Sequence, residues 1–286
     1  TRQRAIVGYG GLWHVIDDVH EPRVCHESSP SPVATTVEVT RSRLWVMPKH
    51  VVLDLTPDDQ VSGLVDDVRV RLAELADPVR APDMQKYMKS ALPYRGVAMP
   101  VCRRLWRTAF DVDLTSAQWW SAIELLWHEA EFREELYAAI GLARHRRFVD
   151  FQDVGLLEGY RELIATGAWW DVVDEISTHL VRDLMLSAPQ AIGPQLRSWS
   201  TSDDMWVRRA SIIGQMGAGD QLDTELLSAC IENNLDGSVG RGPAQSRYGK
   251  EFFIRKAIGW ALRDYAYTDA PWVREYVERH RSQLSG

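Results

Sequence analysis

The hydrophobic pattern of the chain changes character once. Residues 1–55 show no sustained period, and Ser28–Thr36 (SSPSPVATT) has the composition of a linker. Arg43–Leu55 has a strand-like pattern, and a lone strand has little stability of its own. From Thr56 a helical period takes over. Thr56-Pro57-Asp58-Asp59 reads as an N-cap, a proline at the first helical position and acids in the first turn. Val61, Leu64, Val65, Val68, Leu72 and Leu75 then share one helical face. Pro82 and Pro100 open further helices, and Thr115-Ser116-Ala117-Gln118 has the form of a capping box ahead of Trp119. The pattern recurs at 130–145, 151–165, 169–186, 203–216, 223–234, 250–267 and 271–281, with almost no strand-like alternation after residue 57.

Short helices joined by short turns predict an all-α fold. Over this length the expectation is an α-solenoid of degenerate HEAT-like helical repeats, rather than one bundle. Residues 56–286 form the expected repeat domain. Residues 1–55 are expected to be a poorly ordered N-terminal extension or a mis-called start, because the chain opens on Thr1 and helical patterning begins only after Met47. Asp236–Gly249 (DGSVGRGPAQSRYG) interrupts the array. It carries Arg241 and Arg247, lacks the order of a phosphate-cradling loop, and has the composition of a disordered insertion.

Composition narrows the chemistry. Hydrophobic content of 45% and charged content of 26% are ordinary for a globular chain. No apolar run reaches the roughly 18–20 residues of a membrane span, and no continuous secretory core is present, so a cytoplasmic protein without membrane contact is expected. Cys25, Cys102 and Cys230 lie far apart, forming neither a disulfide framework nor a CxxC site. The 8 histidines show no HxxxH or HxH pair, so no metal is expected. A net charge of −7 opposes nucleic-acid binding unless basic residues gather locally. Lys86, Lys89, Arg95, Arg103, Arg104 and Arg107 form one such group, and Arg144, Arg146 and Arg147 another. Each reads equally well as a solvated face. The 12 tryptophans are the real anomaly. Trp119, Trp120 and Trp127, in the capped helix, read as core.

Three later helices repeat one device. Trp170 and Asp174 are four apart, Trp206 and Arg209 three apart, and Trp260 and Arg263 three apart, so each pair shares a face. One reading is a packed indole with a charge at its rim. The other is a shared site, where aromatic faces attract a cation, a carboxylate stabilises an oxocarbenium-like transition state and arginines hold phosphates. No Ser-His-Asp context is visible.

Four segments then carry a resemblance: Met84–Lys89 (MQKYMK), Ala168–Ile176 (AWWDVVDEI), Ser202–Ala210 (SDDMWVRRA) and Lys250–Tyr265 (KEFFIRKAIGWALRDY). They resemble the AlkD-type DNA alkylation repair glycosylases, from about residue 60 to about residue 280. The resemblance implies a right-handed α-solenoid of HEAT-like repeats, an enzyme with a basic, concave DNA-binding face. Such an enzyme hydrolyses the N-glycosidic bond of cationic N3- or N7-alkylated purines in double-stranded DNA, without enclosing the base and without a cofactor. Carried over by position, Asp174 is the catalytic carboxylate, with Trp170 and Trp260 flanking the sugar. Arg209, Arg263, Trp206, Tyr87, Lys86 and Lys89 are DNA-binding, and Trp206 reads also as a packing anchor that aims Arg209. Small methyl and bulky adducts both fit, and a monomer is the default. The competing expectation is a non-catalytic HEAT-repeat scaffold that binds DNA structure or a protein partner.

Overall fold

The computed structural model describes residues 6–9, 12–15, 58–235 and 248–284. The chain divides into two units, Thr1–Val52 and Leu53–Gly286. In the first, Ile6–Tyr9 (β1) and Leu12–Val15 (β2) pair antiparallel, with Ile6 opposite Val15 and Tyr9 opposite Leu12. The hydrophobic pattern did not predict this hairpin; its sequence signal is the Gly10-Gly11 dipeptide between two short apolar runs. The strand-like stretch Arg43–Leu55, the linker Ser28–Thr36 and residues 236–247 of the Gly-rich segment lie outside the described residues.

The second unit is a helical solenoid. Its helices are α1 (Asp59–Glu74), α2 (Ala81–Met88), α3 (Met99–Ala109), α4 (Ser116–His128), α5 (Arg133–Ala143), α6 (Leu157–Gly167), α7 (Trp170–Glu175), α8 (Arg182–Ser187), α9 (Pro189–Trp199), α10 (Met205–Ile213), α11 (Thr224–Glu232), α12 (Phe252–Tyr265) and α13 (Ala270–Arg279). Each packs mainly on neighbours close in sequence: α1 on α3 and α4, α4 on α5, α9 on α10 and α11, and α10 on α12. No helix among the described residues is long and apolar enough to cross a membrane.

Local chemistry sets the helix ends. The capping box is formed: the Thr115 hydroxyl accepts from Gln118 N at 3.2 Å, and Gln118 Oε1 accepts from Thr115 N at 2.9 Å. The first helix starts later than predicted, because Asp58, rather than Thr56, is its cap and accepts from Val61 N at 2.9 Å. The helix predicted from residue 151 begins at Leu157, after two 3-10 turns at Arg146–Phe151 and Val154–Leu156. Helix α9 is absent from the sequence reading, since Pro189, Gly193 and Pro194 look like breakers. Pro189 sits in the first turn, where its missing N–H costs nothing. The buried stripe Ile192, Leu196 and Trp199 holds the helix despite the bond that Pro194 removes.

The tryptophans of the first repeats are packing pieces. Trp106 lies against Gly141, Trp120 against Gly159 and Trp127 against Gly167, each a glycine on a later helix. A Cβ at those glycines would meet the indoles at 2.6, 2.4 and 2.8 Å. Each glycine is therefore the hole that admits a ring. Trp119 is 1% exposed and its Nε1 donates to Leu142 O at 3.2 Å.

Polar groups also lie inside the solenoid. Arg133, Glu134 and Glu135 open α5, and all three are buried. Glu134 accepts from the backbone N–H groups of Arg95, Gly96 and Val97 at 3.0, 2.9 and 3.1 Å. Gly96, at φ +86°, takes the left-handed turn that aims them. Glu135 pairs with Arg69 at 3.1 Å and Arg95 at 3.4 Å.

Candidate active site

Helix α7 is one and a half turns long and continues as a π-helical segment, Ile176–Val181, into α8. The wider register has a local cause. Ser177 Oγ donates to Val173 O at 2.6 Å and Thr178 Oγ1 to Asp174 O at 2.7 Å, while His179 Nδ1 lies 3.1 Å from Glu175 O. Three consecutive side chains thus compete with the backbone for carbonyls four residues back. This junction follows directly on Asp174.

Asp174 is 4% exposed. Arg209 of α10 grips it as a fork: Nε donates to Oδ1 at 2.7 Å and Nη2 to Oδ2 at 2.9 Å. Arg209 Nη1 donates to the carbonyl of Phe253 at 2.5 Å, which ties the first turn of α12 to the pair. Trp206, Phe253 and Trp169 pack as a wall beside it, with ring centroids 4.9 Å (Trp206–Phe253), 5.6 Å (Trp169–Phe253) and 5.9 Å (Trp169–Trp206) apart. Burial pushes the Asp174 carboxyl above the usual aspartate range; the charge and hydrogen bonds of Arg209, and the charge of Lys256, pull the other way. Both carboxyl oxygens accept from a guanidinium, the arrangement of an ionised pair.

Two of the residues expected to face DNA lie inside the fold. Arg209 is 2% exposed, with donors on Asp174 and on the Phe253 carbonyl. Trp206 is 8% exposed and belongs to the aromatic wall, the position of a packing anchor. Trp170 is half-buried on the same face of α7 as Asp174, and Trp260 is half-buried on α12, one turn beyond Lys256. Arg263 is exposed. On α2 and its C-cap, Lys86, Tyr87 and Lys89 are exposed; among the described residues no hydrogen bond joins them to the Asp174–Arg209 pair.

Other basic candidates are already occupied. Arg95 lies 3.8 Å over the Phe132 ring and pairs with Glu135. Arg144 pairs with Glu175, and Arg147 with Asp111 and Asp113. Burial, then Arg144, pushes His179 below the ordinary histidine value. Burial lifts the thiols of Cys102 and Cys230 to about 12, which removes them as nucleophiles at neutral pH.

Sequence reasoning missed four groups. Lys256 stands exposed four residues before Trp260, the helical spacing that could have flagged it. Phe253 and Trp169 complete the wall, and nothing in the sequence distinguishes them from core. A second carboxylate, Asp171, is gripped by Arg133 through Nη2 at 2.6 Å and Nε at 3.2 Å. It also accepts from Tyr137 Oη at 2.5 Å, and the Tyr137 and Tyr94 hydroxyls are 2.7 Å apart. Burial raises both phenols, which stay neutral donors.

The chain is similar to a known family and fold. The family model described as "DNA alkylation repair enzyme" matches residues 68–286. A solved structure described as a predicted DNA alkylation repair enzyme from Enterococcus faecalis is 24% identical; the match covers 71% of this chain and 89% of that one, with a TM-score of 0.59. No curated protein matches the chain significantly. With the family model spanning most of the solenoid, the chain belongs to the DNA alkylation repair enzyme family.

Proposed function

We propose that this protein is a DNA glycosylase that hydrolyses the N-glycosidic bond of cationic, N3- or N7-alkylated purines in duplex DNA. The observation that carries the reading is the Asp174–Arg209 pair, a carboxylate held in a fixed orientation at an aromatic wall, with Trp170 on its own helix face. N-alkylation makes the purine a cationic leaving group, so the bond is already weak. As it breaks, positive charge builds on the deoxyribose. An ionised carboxylate fixed in advance, in a setting poor in water, stabilises that charge without reorganising. Each Asp174 oxygen takes one Arg209 N–H and keeps a further lone pair for a water or for the sugar's charge. Arg209 acts through Asp174: it keeps a buried carboxylate ionised and aimed. Trp170 and Trp260 offer faces to the cationic sugar. No step calls for a metal, a nucleotide or a redox group.

The test is release of 7-methylguanine or 3-methyladenine from alkylated duplex DNA. Release by wild type above the Asp174→Asn protein supports the reading; equal release by the two overturns it.

A further inference from the structure

The buried stripe that runs from α7 into α8 has the wrong period for an α-helix. Its residues recur in pairs every four positions: Val172–Val173, Ile176–Ser177, Leu180–Val181 and Leu184–Met185. An α-helix keeps a stripe on one face at a mean spacing of about 3.6 residues. At about 100° per residue, the stripe from Val172 to Leu184 overshoots three turns by about 120°. The π-helical segment Ile176–Val181 holds one extra residue in its turn, which takes back about 100°. The face that α7 buries thus continues into α8. Among the described residues no other helix widens in this way.

Thr178 is the residue in surplus. Without it Val173, Ser177, Val181 and Met185 would follow at spacings of four, three and four, the pattern of an unbroken α-helix. Packing therefore does not require the wide turn, since a chain one residue shorter would bury the same stripe. What the turn does touch is the candidate site. It begins two residues after Asp174, and Thr178 Oγ1 donates to the Asp174 carbonyl at 2.7 Å. The Ser177 hydroxyl is fully buried and donates to Val173 O at 2.6 Å. The same turn lies on α10, the helix that carries Arg209. At Gly214, which caps α10, a Cβ would meet Val181 Cγ1 at 3.0 Å and stand 3.6 Å from Ser177 O. The two helices are therefore tied at two points, the Asp174–Arg209 fork and the seat of the π turn on Gly214. A shift of the turn on that seat moves one half of the fork against the other.

We propose that the π-helical turn is a positioning device for Asp174. Thr178, as the extra residue, and Ser177, whose hydroxyl helps to hold the turn open, set the height and rotation of the carboxylate against the Arg209 fork. Neither acts on the reacting bond; both act through Asp174. The inference rests on the proposed function for its effect on base release, and not for its effect on the fork.

The experiment uses the full chain in two forms, one with Thr178 deleted and one with Ser177→Ala and Thr178→Val together. The titration of Asp174 is read by NMR of isotope-labelled aspartate, assigned by its absence from Asp174→Asn. Single-turnover release of 7-methylguanine, affinity for alkylated duplex and thermal melting are read beside it. The deletion is expected to melt within a few degrees of wild type, because the stripe takes α-helical spacing. Its Asp174 is expected to titrate about one pH unit higher, since a misaligned fork opposes burial less. Release is expected to fall about 10²-fold with duplex affinity unchanged, the usual effect of an ångström-scale misplacement. The double substitution keeps the chain length and removes both hydroxyls that compete for carbonyls, so a titration shift of the same sign and a loss of about tenfold in release are expected. A folded deletion protein whose Asp174 titrates as in wild type overturns the proposal. If the deletion protein does not fold, the substituted protein decides in the same way. A shifted titration without base release by wild type supports the positioning turn and overturns the excision reading. Normal release by wild type with an unmoved titration does the reverse.

Discussion

Of the three carboxylates on helix α7, Asp171 and Asp174 lie three residues apart, and each is gripped by an arginine from another helix. Around Asp171 three donors converge: Arg133 donates twice, Tyr137 donates once, and Tyr94 closes the chain of hydroxyls. The carboxylate ties α7 to α5 through both a guanidinium and a phenol. Around Asp174, among the described residues, the side-chain hydrogen bonds come from Arg209; an aromatic wall stands beside the pair, and the charges of Asp171 and Lys256 reach it. The same aspartate–arginine device therefore serves two ends. One joins helices. The other holds an oxygen pair buried and oriented beside aromatic rings, and on the proposed function that pair serves electrostatic catalysis.

The largest expected effect falls on the Asp171 site. Asp171→Ala leaves Arg133 as a buried charge without its partner, and such a loss costs about 3–5 kcal/mol. Urea unfolding monitored by circular dichroism should show the midpoint falling steeply. A loss under about 1 kcal/mol would mean that the Arg133 fork does not hold α5 to α7.

Catalysis should break the comparison the other way. Asp174→Asn keeps the shape and removes the charge, and single-turnover release should fall about 10²–10³-fold, the usual effect of removing one preorganised group. Asp171→Asn, assayed on the folded fraction, should stay within about tenfold of wild type, or about 1.4 kcal/mol. Equal losses would erase the distinction between the two sites.

A pH profile sharpens the same contrast. On the proposed function base release requires ionised Asp174, so the rate should fall as pH drops through its pKa, which burial places above the usual aspartate range. Arg209→Lys replaces two aligned donors with a point charge and weakens the force that opposes burial. The acid limb should therefore move upward, by about one pH unit for each 1.36 kcal/mol of pairing lost. An unmoved limb would detach Arg209 from the ionisation of Asp174.

Much of the fold was legible because it is periodic. The box at Thr115, the stripe from Val61 and the prolines at 82 and 100 all mark real helix starts or faces. Helix α9 was not legible, because a buried stripe outweighed two prolines, and that balance depends on what the stripe packs against. The site divides along the same line. Spacing showed that Trp170 and Asp174 share a face. It did not show what faces Asp174, because the bond to Arg209 spans 35 residues and two helices. Thus Arg209 read as a surface cation and proved buried. Arg133, Glu134 and Glu135 show the same limit: three charges in a row on a first turn are buried, because each has a partner folded over it from elsewhere.

The smallest effect tests whether the Asp171 network is a chain or a pair. Tyr137→Phe removes one hydroxyl, which sits between Tyr94 and Asp171. If the Arg133 fork alone satisfies Asp171, the loss should be near zero. If the hydroxyl completes the shell, one hydrogen bond to a charged group is lost and the Tyr94 hydroxyl is left buried without it, for about 1.5–3 kcal/mol in total. The second outcome is expected, because Tyr94 is 4% exposed and no other side chain among the described residues hydrogen-bonds to its hydroxyl. Tyr94→Phe with Tyr137→Phe should then cost less than the sum of the two single changes, since the double variant leaves no orphaned hydroxyl. Base release per folded molecule should be unchanged throughout. A drop in release with stability intact would show instead that the two forks on α7 communicate, and that Asp171 helps to aim Asp174.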